Sequence, residues 1–125
     1  AYQNEKYVDW CYASIEDVQY QFRNLGLEKK AVFVKGDVLK TLNIKENLPE
    51  KVSLLRLDTD WYESTKAELD ILYPLLQKDG VLLLDDYGHW QGAKKAVDEF
   101  LTENKLLNRS LMWKVDDSGR GLIKK

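Results

Sequence analysis

Apolar residues run almost unbroken at two places in this chain, and both runs end in acid. Val81-Leu82-Leu83-Leu84 follows Gly80 and meets Asp85-Asp86, while Lys51-Val52-Ser53-Leu54-Leu55-Arg56-Leu57 meets Asp58-Thr59-Asp60. Four aliphatic positions in a row predict a central parallel strand with helices on both faces. Elsewhere the spacing turns helical. Ile15, Val18, Phe22 and Leu25 share one helical face, with Ser14 and Asp17 as a capping box and Gly26 as the stop. Thr65-x-x-Glu68 predicts the cap of a second helix, whose apolar positions Leu69, Leu72, Tyr73 and Leu76 carry it to Asp79-Gly80, with Pro74 either kinking it or tolerated near its middle. Beyond Gly92, the stripe Ala93, Ala96, Val97, Phe100 and Leu101 predicts a third. Ala31-Val32-Phe33-Val34 reads as a short strand ending at Gly36-Asp37, and residues 38–42 as an amphipathic turn. Leu111, Trp113 and Val115 alternate before a turn at Ser118-Gly119, which leads into Leu122-Ile123 and predicts a closing antiparallel hairpin. Residues 1–13 follow neither period.

The order α-β-(α)-β-α-β-α-β-β predicts an α/β fold: a doubly wound, mostly parallel sheet with an antiparallel C-terminal edge. Its 125 residues are expected to form a single domain over 1–125. A nucleotide site of this architecture starts with a strand and a Gly-rich turn, and no G-x-G precedes Gly26. The first strand or strands of such a sheet are therefore expected to be missing, which would leave an apolar edge that another copy of the chain covers. A homo-oligomer is the expectation.

Charge narrows the partners. The 19 basic residues nearly balance the 21 acidic ones, so no basic field exists to hold nucleic acid or an anionic membrane surface. No stretch approaches the length of a membrane span, and the single cysteine, Cys11, has no partner for an intrachain disulfide. A reducing, cytoplasmic setting is expected.

If the two acid-tipped strands are neighbours, their ends lie about 5 Å apart, and Asp58, Asp85 and Asp86 can converge. Carboxylates that close repel one another unless a cation lies between them or one takes a proton, and a hard, all-oxygen donor set suits Mg²⁺, with Mn²⁺ or Ca²⁺ as alternatives. Asp60, two positions beyond Asp58, is placed to take a proton from a substrate hydroxyl. The competing explanation is that these acids cap the helices that follow them. His89, the only histidine, shares the loop after the second strand with Trp90 and Gln91, where it either contacts substrate or is simply a polar surface residue. Trp61 and Tyr62 either line a pocket for a flat or sugar-like ligand or pack as staples. Gly36-Asp37 is either a turn or a ligand contact. A Mg²⁺-carboxylate phosphoryl-transfer site fits less well, since no phosphate-cradling loop is encoded.

The blocks LRLDTDWYEST (residues 55–65), LYP at 72–74 with Leu76 and Gly80, and LDDYGHWQG (84–92) with Lys95-Ala96-Val97-Asp98 and Phe100 resemble the macrocin O-methyltransferase (TylF-like) family. Ser14, Glu16-Asp17-Val18, Gly26-Leu27 and Val34-Lys35-Gly36 extend the likeness to nearly the whole chain. The resemblance implies a Rossmann-like class I methyltransferase that uses S-adenosylmethionine and Mg²⁺ to methylate a hydroxyl of a small, glycosylated acceptor. It implies Asp58, Asp85 and Asp86 as metal ligands, Asp60 as general base, His89 beside the acceptor, and Gly36, Asp37 and Asp58 on the cofactor side. The chain departs from the family in having Thr59 where many relatives have glycine, and in lacking the N-terminal cofactor segment. The 125 residues then read as the C-terminal portion of such an enzyme, the alternative being a non-catalytic, oligomeric domain.

Overall fold

A computed structural model describes residues 12–106 and 112–125. The chain divides into two compact units between Lys35 and Gly36. In the first unit, α1 (Ile15–Asn24) starts as its sequence predicts, with the Asp17 N–H donating to Ser14 Oγ at 3.1 Å. It ends in a reversal in which the Gly26 N–H donates to the Arg23 carbonyl and the Leu27 N–H to the Phe22 carbonyl, satisfying groups that a helix end leaves open. A 3₁₀ turn, Glu28–Lys30, follows, and Phe33 meets Phe22 edge to face at 5.2 Å. Ala31-Val32-Phe33-Val34 is not a strand. No ladder forms there among the described residues, and Val32 is 89% exposed, because β-propensity makes a strand only where a partner strand accepts its hydrogen bonds.

Among the described residues the second unit holds a four-stranded sheet of order β1-β2-β4-β3, formed by β1 (Val52–Leu57), β2 (Leu76–Leu84), β3 (Met112–Lys114) and β4 (Arg120–Ile123). β1 and β2 are parallel, while β4 pairs antiparallel with both β2 and β3, which gives the expected terminal hairpin. The expected start of that hairpin at Ser110-Leu111 lies outside the described residues, as does Cys11. Register puts Leu55, Leu82 and Leu122 in one row and Leu57 beside Leu84, all buried. α3 (Tyr62–Leu72) and α4 (Gln91–Glu103) cover this face, adding Leu69, Ala93, Ala96, Val97, Phe100 and Leu101 to the core. Cover on both faces, as the four aliphatics predict, is not what this unit shows: the α3 and α4 side takes Leu82 and Leu84, while Val81 and Leu83 are half-buried and Leu54, beside Val81 in the register, is 58% exposed.

The second helix differs from its predicted bounds at both ends. It begins at Tyr62, so Thr65 and Glu68 lie inside it and are buried rather than capping it. It stops at Leu72 because Pro74 has no N–H to donate, and a 3₁₀ turn, Tyr73–Leu75, delivers the chain directly into β2. A short α2 (Val38–Thr41) fills the predicted 38–42 turn. Among the described residues no helix is long and apolar enough to cross a membrane.

Candidate active site

The parallel register that sets Leu57 beside Leu84 delivers both acidic segments to one end of the sheet, where the Asp85 N–H donates to the Leu57 carbonyl at 3.0 Å. The helices that follow leave from the same place. A Cβ on Gly92 would stand 3.0 Å from the Tyr62 nitrogen, so the glycine lets the first turns of α3 and α4 approach closely.

Asp58, Asp60 and Asp86 each offer a carboxylate oxygen within 4.8 Å of the others. Asp85 is turned elsewhere. Arg56, two positions before Asp58 and thus on the same side of β1, places Nη2 2.8 Å from Asp58 Oδ2 and 3.0 Å from Asp85 Oδ1. Asp60 has φ 65, and the Trp61 N–H donates across it to the Thr59 carbonyl at 2.7 Å, a tight γ-turn in the strained left-handed region. That turn swings the Asp60 side chain back towards Asp58 and Asp86.

Asp86 carries the clearest electrostatic signal. Burial, then hydrogen bonding and charge from Asp60, then the charges of Asp58 and Asp85, push its carboxyl up to about 7. Its Oδ2 is buried and has no hydrogen-bond partner among the described residues. A cavity of about 10 Å³, lined in part by Thr59, Thr65, Asp85 and Asp86, lies beside it. Two oxygens that only accept cannot hydrogen-bond each other without a proton between them, and a cation would serve as well.

Helix capping does not explain these acids. The N-caps of α3 and α4 are Trp61 and Trp90, and neither helix has a side-chain cap bond. The two indoles stack across the site instead, 6.3 Å apart at 27°. Tyr62 is a packing residue, its hydroxyl donating to Glu99 Oε2 at 2.6 Å. His89 is exposed against the edge of Trp90, beside an open cleft of about 370 Å³ lined by Gly88, His89, Asp116, Asp117 and Ser118. Gly36 adopts φ 145, and Asp37 caps α2 by accepting from the Leu39 N–H at 3.0 Å, so both serve the turn.

Two residues here escaped the sequence analysis. Arg56 reads in the sequence as part of an apolar strand, although its charge two positions before an acid marks it. Glu68 was assigned to a cap; its place on the stripe shared with Thr65, Leu69 and Leu72 is the pattern of a buried position. It is 6% exposed, and Thr59 Oγ1 donates to its Oε2 at 3.0 Å.

Residues 2–120 match the macrocin O-methyltransferase (TylF) family. The chain belongs to that family. Over 91 residues, 70% of this chain and 33% of the relative, it is 37% identical to demethyldecarbamoylnovobiocin O-methyltransferase of Streptomyces niveus. The solved structure of the O-methyltransferase NovP superposes with TM-score 0.82 at 30% identity, covering 90% of this chain and 46% of that one. The TDP-rhamnose 3'-O-methyltransferase CalS11 of calicheamicin biosynthesis shares the fold, with TM-score 0.68 at 22% identity over 92% of this chain and 55% of that one. The fold is thus that of Rossmann-like methyltransferases, and this family member spans between a third and about half of the length of these relatives.

Proposed function

We propose that this chain supplies the metal and acceptor side of an S-adenosylmethionine- and Mg²⁺-dependent O-methyltransferase acting on a hydroxyl of a sugar or glycosylated small molecule. The observation that carries the reading is the buried Asp86 oxygen, unpartnered among the described residues, within a cluster of carboxylates that cap neither α3 nor α4. An all-carboxylate donor set with an orphaned oxygen fits a hard divalent cation. Asp58, Asp85 and Asp86 would hold Mg²⁺. When bound, the ion supplies charge that orients and acidifies the acceptor hydroxyl.

The remaining chemistry belongs to the chain. Asp85 reaches the cluster by leaving Arg56, an exchange made easy by side chains about half exposed, where ion pairs contribute little. Asp60 accepts the proton of the acceptor hydroxyl, and its γ-turn sets the residue where its carboxylate lies with those of Asp58 and Asp86. The Trp61 and Trp90 rings and His89 border the acceptor and offer it aromatic faces. On the methyl-donor side, Gly36, Asp37 and Asp58 are the residues offered, and the carboxylate of Asp37 is already engaged in capping. The chain's own share of cofactor contacts is therefore small, and a cytoplasmic setting suits both the donor and the single cysteine.

The test is a thermal melt with Mn²⁺ or Mg²⁺. Binding to the folded chain alone raises its melting temperature by mass action, and Asp86→Asn or Asp85→Asn removes the gain. A melting curve indifferent to millimolar cation would sink the reading.

A further inference from the structure

Thr59 and Glu68 stand apart from the chemistry just described, yet they meet directly beneath it. Glu68 is a carboxyl on the core side of α3, buried to 6% exposure, and its hydrogen-bond partner is the Thr59 hydroxyl at 3.0 Å. Placing a carboxyl there is costly, and burial pushes it up to about 7 even against the opposing effect of that bond. An alanine or leucine would fill the same helical position at no such cost. Thr59 in turn is the hub of the γ-turn: its carbonyl accepts from the Trp61 N–H at 2.7 Å and from Ser64 Oγ at 3.2 Å. The residue is flanked on each side by an acid of the cluster, and the turn it anchors is strained at Asp60. Strained backbone persists where surrounding contacts over-determine it. Here α3 provides those contacts through two side chains, Ser64 and Glu68, both buried.

We propose that Glu68, acting through the Thr59 hydroxyl, is a positioning residue that holds the Asp58-Thr59-Asp60 turn so that both acids face Asp86. The inference rests on the metal-site reading and adds to it a buried support behind the acids. Groups that orient ligands from behind typically change metal affinity by roughly 10- to 100-fold when removed.

The test uses the full chain and Mn²⁺ calorimetry, with a melt of each variant in the absence of metal. Thr59→Val removes the hydroxyl and leaves Glu68 without its partner, which lowers stability as well as affinity. In Thr59→Val/Glu68→Leu both partners are apolar, so stability returns towards that of the unsubstituted chain. Its Mn²⁺ affinity is expected to stay roughly tenfold or more below it. Thr59→Ser keeps the hydroxyl and is expected to bind Mn²⁺ like the unsubstituted chain. A stable double variant that binds Mn²⁺ undiminished, or a Thr59→Ser chain as weak as Thr59→Val, would overturn the inference and leave the metal site standing. Absence of Mn²⁺ binding by the unsubstituted chain would overturn both.

Discussion

Glu68 and Asp86 are both carboxyls held near 7, and their effect on stability follows from that direction. Each ordinarily ionises near pH 4, so between about pH 4 and pH 7 the folded chain keeps protons that the unfolded chain releases. Stability without metal is therefore greatest towards the acid end of that interval and declines as pH rises through it. A melt at about pH 5 should lie above one at about pH 8, and Glu68→Gln, which cannot ionise, should flatten part of the slope. An unaltered slope in that variant would show that Glu68 is not the group titrating. At this scale the sequence announced the acids, because carboxylates ending apolar runs are conspicuous. It did not announce that Arg56 reaches over to Asp85, nor that a non-glycine residue, Asp60, takes a left-handed conformation, since both depend on how two distant segments meet.

Among the elements, α1 and α4 were readable because their caps, stops and apolar stripes are local. Ala31–Val34 misled, since strand-forming residues specify a strand only when a neighbour completes the ladder. The start of α3 misled because Ser64, Thr65 and Glu68 imitate a capping sequence while packing inward. The central strand was legible in its four aliphatics, but not which face each would take, and the register decides the consequence. Leu82 faces α3 and α4 at 1% exposure, flanked in its row by Leu55 and Leu122. Leu82→Ala should cost about 2–5 kcal/mol, the range for a large-to-small change in a packed core. Its neighbour Leu83 is only half-buried on the opposite side, and Leu83→Ala should cost clearly less; equal losses in chemical unfolding would contradict this assignment of faces.

For the molecule as a whole, the sheet presents an uneven pair of surfaces. On the side away from α3 and α4, Leu54, Val81 and Ile123 form one row across the strands, and Leu83 with Trp113, on either side of Gly121, lies in the next, with Leu54 58% exposed. Apolar surface of this kind, at the β1 edge of the sheet, favours association, so the chain at micromolar concentration should sediment as a dimer or larger species. A monomer by sedimentation velocity would count against it, and Leu54→Lys should shift an associated species towards monomer. The stacked indoles have a bearing on how such experiments are followed. Trp61 and Trp90 belong to segments nearly thirty positions apart, and each sits at the root of one acidic loop. A shift of one loop against the other changes their mutual orientation, so the near-ultraviolet dichroism lost on replacing either indole, by Trp61→Phe or Trp90→Phe, registers the geometry around the acids without any attached label.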